Sequence, residues 1–124
     1  MKTGESAETY LETILVLGQT KGAVRSIDIA NELEYSKPSV SVAMKNLREN
    51  GHIAVDQHGH IELTESGREI AESMYRRHRL LTDFLTELGV DEQTAIDDAC
   101  RIEHVISQQS FEKISEHFKK LERN

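Results

Sequence analysis

The chain has 124 residues, enough for one domain or for two small ones sharing a core. Hydrophobic residues make up 37% and charged ones 30%, a globular balance that excludes a disordered tail, a collagen-like repeat and low-complexity sequence. The net charge is −7, of which residues 81–124 carry −5 while residues 21–52 carry +1, so a near-neutral N-terminal part with placed cations is joined to an acidic C-terminal part.

Ala7, Tyr10, Leu11, Ile14, Leu15 and Leu17 recur at helical spacing and predict an amphipathic helix over residues 5–20, stopped at Thr20-Lys21-Gly22. Ser26 is the expected N-cap of a short helix whose apolar positions are Ile27, Ile29, Ala30 and Leu33, interrupted at Tyr35-Ser36. Ser36 is expected to cap the next helix, with Pro38 in its first turn, where a missing N–H costs nothing. That helix buries Val40, Ala43, Met44 and Leu47 and stops at Asn50-Gly51. Two β-prone runs, Ile53–Asp56 and Ile61–Thr64, flank the polar turn Gln57-His58-Gly59-His60 and predict a hairpin. Thr64 opens a long helix to about Leu88, ended by Gly89; Asp91 opens another to about Gln108, and Ser110 a last one to about Lys120.

Helix, short helix, turn, helix, two-stranded hairpin and long helix make a mainly α chain that begins with a winged helix-turn-helix. The third helix starts Ser-Lys-Pro-Ser, and a polar N-terminal face of this kind suits the major groove. Ser36, Lys37, Pro38, Ser39, Ser41 and Val42 are the candidate contacts there. Their small hydroxyls and apolar groups fit phosphates and thymine methyls better than bidentate base readout. Arg25, Lys37, Lys45 and Arg48 are the candidate phosphate neutralisers. A protein-binding winged helix, or a plain small domain, carries the same pattern.

Cys100, Glu103 and His104 stand at i, i+3 and i+4 and project from one helical face. A thiol, a carboxylate and an imidazole form a mixed ligand set for a divalent transition metal. A solvated charged face with a buried structural cysteine shares that spacing. His78, in the basic run Tyr75-Arg76-Arg77-His78-Arg79, and Glu12, mid-way along the first helix, are further candidate donors. The pair His58 and His60 flanks the wing glycine and reads as a mobile hydrophilic turn rather than a metal motif. A single cysteine forms no internal disulfide, which together with the lack of a signal peptide or apolar span predicts a cytoplasmic protein. A chain of this size buries only about two thirds of its unfolded surface, so pairing with a second copy is expected.

The stretches Glu8-Thr9-Tyr10-Leu11-Glu12-Thr13-Ile14, Asp28-Ile29-Ala30, Ser39-Val40-Ser41, Leu63-Thr64-Glu65-Ser66-Gly67, His78-Arg79-Leu80-Leu81 and Cys100–Ser107 resemble the diphtheria toxin repressor family of metal-dependent transcriptional regulators, including its manganese transport regulator branch. The resemblance spans nearly the whole chain and is most specific around Glu103-His104. It implies an N-terminal domain over 1–66 that binds operator DNA and a helical metal-binding and dimerisation domain over 67–124, without the SH3-like domain of longer members. It also implies a non-enzymatic repressor, homodimeric on double-stranded operator DNA and activated by divalent iron or manganese. The implied ligands are Glu12, His78, Cys100, Glu103 and His104. Cys100 matches a cysteine of the iron branch, where the manganese branch has glutamate, and Glu12 matches a manganese-branch ligand. Thr9 departs from the family's Met or Asp, and Thr82 and Ile96 replace ancillary-site ligands. A thiolate favours metals softer than manganese, so Fe(II) is expected ahead of Mn(II). The contrasting expectation is a winged-helix regulator that senses oxidation or a small ligand without metal.

Overall fold

The computed structural model describes residues 3–123, with side chains from 7 to 121. Among the described residues the order is α1 (Thr3–Lys21), α2 (Ser26–Leu33), α3 (Lys37–Glu49), β1 (Ile53–Val55), β2 (Ile61–Leu63), α4 (Glu65–Glu87), α5 (Glu92–Val105) and α6 (Gln108–Arg123). The chain divides into two compact units, residues 1–73 and 74–124, and the division falls within α4. No helix of the described residues is long and apolar enough to cross a membrane.

The first unit is a winged helix-turn-helix. Its core draws Leu11, Ile14 and Leu15 from α1, Ile29 from α2, and Val40, Met44 and Leu47 from α3. Each such side chain, fully buried, stabilises the fold by about 1.5–3 kcal/mol. Ala43 is only half-buried, at the edge of the face that the apolar spacing assigned to the core. Ser36 caps α3 as expected: its Oγ accepts from the Ser39 N–H at 3.3 Å and donates to Ser39 Oγ at 2.8 Å.

The start and end of α2 differ from expectation. Arg25, not Ser26, is the N-cap, and its backbone N–H donates to the Asp28 carboxylate at 2.9 Å. A carboxylate three residues into the helix thus does the work that a cap hydroxyl would have done. The helix stops at Glu34, whose φ of 58° is left-handed, and the Glu34 and Tyr35 N–H groups both donate to the Ala30 carbonyl. Tyr35 then packs edge-on against Tyr10 of α1, ring centroids 5.8 Å apart, which holds the tight turn against the first helix.

The wing is the antiparallel pair β1–β2, in register Ile53↔Leu63, Ala54↔Glu62 and Val55↔Ile61. An isolated antiparallel bridge joins Val24 to Ile61 and ties the wing to the residue just before the α2 cap. The wing turn is more tightly held than a mobile polar loop: Asp56 Oδ1 accepts from the backbone N–H groups of His58 and His60 at 2.8 and 2.9 Å. Those two bonds lower the Asp56 carboxyl below its usual range, the His60 contact contributing most. Thr64 opens α4, accepting from the Gly67 N–H at 3.3 Å.

The second unit is helical. Asp91 caps α5 through the Thr94 N–H at 3.1 Å, as the sequence implies. The last helix begins earlier than Ser110: Ser107 Oγ accepts from the Ser110 N–H at 3.1 Å, so Ser107 is the residue that turns the chain. Met74, Leu81, Ala95, Ala99, Phe111 and Phe118 form the core, with Phe84 edge-on to Phe118 at 5.8 Å. Small alanines on the inner face of α5 allow close approach of helices, and the aromatic pair fills the space between α4 and α6.

Candidate metal centre and nucleic-acid interface

Glu103 is 1% exposed, and it is the buried charged residue of the described core. Its helix places it in the last turn of α5, on the inward face with Ala95 and Ala99. An isolated carboxylate there would cost several kcal/mol of desolvation unless partnered. The partners are two imidazoles: Oε2 lies 3.1 Å from His78 Nδ1 and Oε1 lies 3.4 Å from His104 Nε2. Cys100, one turn earlier on α5, puts its Sγ 3.7 Å from the same His78 nitrogen, and its thiol is exposed rather than buried. That exposure removes the alternative of a buried structural cysteine. Four of the five expected donors thus gather in the second unit, three from α5 and His78 from α4. Glu12 lies on α1 of the first unit, half-buried, one turn along from Thr9, whose carbonyl accepts from Thr13 Oγ1 at 2.8 Å.

A soft thiol and two borderline imidazoles beside one hard carboxylate fit a divalent transition metal and do not resemble an all-oxygen calcium or magnesium cage. In the absence of metal the cluster holds a proton. His78 is pushed up from 6.5 to about 10 by its contact with Cys100 first and with Glu103 second, against the opposing effect of burial. A histidine whose folded-state value lies above its unfolded value stabilises the fold fully below 6.5, and the contribution fades as pH rises through about 10. Thermal melts in chelator are therefore expected to show declining stability across that window, with a flatter profile for His78→Gln. A metal ligated by His78 must displace this proton, so metal affinity rises over the same range.

Sequence reasoning gave no role to Arg77, one residue before His78. Its Nη1 donates to the Glu103 and Ile106 carbonyls, both at 3.0 Å, its Nη2 donates to Gln108 Oε1 at 2.7 Å, and its guanidinium lies 5.4 Å from the Phe111 ring centroid. It closes the C-terminal end of α5, whose last carbonyls have no intrahelical partner, and fixes the corner into α6. The partners lie 26 to 31 residues away in sequence, so no local pattern announces them.

The other surface is on the first unit. Lys37, Pro38, Ser39, Ser41, Lys45 and Arg48 are exposed on α3, and Val42 is 60% exposed, while Val40, Met44 and Leu47 face inward. Ser26, Ile27, Lys37 and Ser41 line a depression of about 280 Å³ between the starts of α2 and α3. Hydroxyls, an ammonium and two helix N-termini in one place suit a phosphate. Lys21, by contrast, is tied to Asp28 at 2.7 Å. Arg25 is exposed at the α2 cap, with Nη2 3.2 Å from His60 Nε2 of the wing.

Comparisons with known proteins join the two halves. Residues 2–61 match the family described as iron dependent repressor, N-terminal DNA binding domain, and residues 64–124 match iron dependent repressor, metal binding and dimerisation domain. The HTH-type transcriptional regulator MntR of Lysinibacillus sphaericus is 32% identical over 119 residues, covering 96% of this chain and 86% of that one. MntR of Bacillus subtilis is 33% identical, covering 92% and 80%. A solved manganese-dependent transcriptional repressor complex with manganese superposes with a TM-score of 0.82 at 33% identity, over 90% of this chain and 51% of its own. The metal-dependent transcriptional regulator MtsR gives 0.84 at 26% identity, over 91% and 53%. The chain thus spans about half the length of these solved structures. A winged helix-turn-helix followed by a helical unit that gathers a thiol and two imidazoles around a buried carboxylate, matched along both halves, makes the chain a member of the iron-dependent repressor family, the diphtheria toxin repressor and manganese transport regulator lineage of metal-dependent transcriptional repressors.

Proposed function

We propose that the chain is a cytoplasmic repressor of metal-homeostasis genes that binds operator DNA as a homodimer when a divalent metal occupies Glu12, His78, Cys100, Glu103 and His104. Residues 1–66 read DNA; residues 67–124 bind metal and dimerise. The carrying observation is the buried Glu103 carboxylate set between His78 and His104 with the Cys100 thiol alongside. The metal supplies positive charge that offsets the carboxylates and the thiolate. Fe(II) is the favoured ion because of the thiol, which prefers metals softer than manganese. Mn(II) is the second reading, since the named relatives include manganese regulators.

On the DNA side, Ser36, Ser39 and Ser41 donate to phosphates, Pro38 and Val42 meet thymine methyls, and Arg25, Lys37 and Lys45 neutralise backbone charge. Ligands drawn from both halves of the chain make metal affinity and operator affinity depend on each other, by linkage. Titrating the protein with Fe(II) under anaerobic conditions, and with Mn(II), Co(II) and Zn(II), while following a fluorescent operator by anisotropy, tests the proposal. Metal-dependent binding that chelator reverses supports it. Affinity indifferent to chelator would favour instead a regulator that senses oxidation or a small ligand.

A further inference from the structure

We infer that His60 of the wing is a positioning residue for Arg25, holding its guanidinium in place for DNA; the inference rests on the DNA-binding reading above. The antiparallel bridge between Val24 and Ile61 sets the residue after Val24, Arg25, beside the residue before Ile61, His60. The Ile61 N–H donates to the Val24 carbonyl at 2.7 Å, so the pairing is a real backbone bond. Across it, Arg25 Nη2 lies 3.2 Å from His60 Nε2. A guanidinium only donates, so Nε2 must carry the lone pair and the ring proton must sit on Nδ1. Nδ1 lies 3.4 Å from Asp56 Oδ2, an acceptor that fits that tautomer. Asp56 is itself anchored by the His58 and His60 backbone N–H groups. Asp56, His60 and Arg25 form a relay from the wing turn to the α2 cap.

The relay fixes a long side chain that otherwise loses rotamer freedom on meeting a phosphate, and pre-ordering of this kind raises affinity. It also makes the arrangement depend on which ring nitrogen of His60 carries the proton. The charged and titratable groups around His60 are Arg25 from the α2 cap, Asp56 from the end of β1 and His58 within the turn, 6.0 Å away between ring centroids. Asp28 and, through it, Lys21 stand behind Arg25. A proton added to Nε2 removes the lone pair that Arg25 uses and puts two cations side by side, so Arg25 is released.

The test uses the full chain in saturating Mn(II) and a fluorescent duplex that the parent protein recovers from a random pool. His60→Ala is expected to weaken binding about tenfold at about pH 7.5, the scale of one charge-assisted hydrogen bond, while His60→Gln, which can accept from Arg25 through Oε1 without titrating, stays within about twofold. In an Arg25→Ala background, His60→Ala is expected to add no more than about twofold. In the DNA-free protein, nitrogen chemical shifts should report the His60 proton on Nδ1. An equal loss from His60→Ala with and without Arg25, or a proton on Nε2, overturns the inference while leaving DNA binding intact. Recovery of no duplex by the parent overturns the DNA-binding reading and this inference with it.

Discussion

Glu103→Gln is expected to lower metal affinity by about 100-fold or more and to abolish metal-activated operator binding, with the variant still folded. Glutamine keeps the shape of the side chain but leaves an oxygen toward one imidazole only, turning an amide NH2 to the other, and it removes the negative charge that the two nitrogens of His78 and His104 approach at 3.1 and 3.4 Å. Among the described residues Glu103 is the buried carboxylate, only 1% exposed, and an exposed carboxylate is no substitute for it. Breaking a buried charge pair also costs about 3–5 kcal/mol where a charge is left alone. Here that cost is moderated, since His78 keeps Cys100 and can give up its proton. Calorimetric titration with Mn(II) measures the affinity, and melts in chelator separate the loss of ligand from loss of fold. A variant that binds operator with metal as tightly as the parent would show that the cluster is not the sensor.

Gly67→Ala should destabilise the first unit by about 3 kcal/mol or more, lowering the melting temperature by about 10 °C or more. A Cβ built on Gly67 falls onto the carbonyl oxygen and carbon of His52. That carbonyl has little room to retreat. It accepts from the Thr64 N–H at 3.1 Å, the His52 N–H donates to the Leu47 carbonyl at 2.9 Å, and the His52 ring nitrogen Nδ1 lies 3.0 Å from Ser66 Oγ. The start of α4 and the segment between α3 and β1 are thus in direct backbone contact, and only a residue without a side chain permits it. Gly18 is the matching control. It lies within α1 with nothing inside 4 Å of a built Cβ, so Gly18→Ala should stabilise by about 0.5–1 kcal/mol. Two chemically identical changes with opposite signs separate the contact from any general effect of adding a methyl group.

Much of the architecture is legible in local patterns, and the exceptions share a cause. Ser36 and Asp91 act as caps because a hydroxyl or carboxylate can reach an N–H three residues on, a purely local event. Ser26 is not a cap because Asp28 reached the Arg25 N–H first, and Ser110 is not one because Ser107 already holds the turn. Competition between neighbouring polar groups decides such cases, and spacing alone does not rank them. Glu34 adopts a left-handed conformation without being the glycine or asparagine that would advertise it.

At the site, the i, i+3, i+4 spacing of Cys100, Glu103 and His104 is visible in the sequence, as is their common helical face. The approach of His78 depends on packing of α4 against α5, which the basic run around it conceals. Arg77 sits in the same run, and charge composition alone gives it the look of a solvated surface residue. Its partners are set by tertiary structure, so periodicity carries no trace of them.

Arg77 also bears on transplanting this donor set to another protein. Glu103 and His104 occupy the end of α5, where helices ordinarily fray, and the guanidinium that grips the Glu103 and Ile106 carbonyls suppresses that fraying. A designer copying only the thiol, carboxylate and imidazoles onto a new helical scaffold would inherit a loose terminus and ligands that wander. Copying the arginine on the facing helix, together with its aromatic lid Phe111, carries the stiffness along with the chemistry.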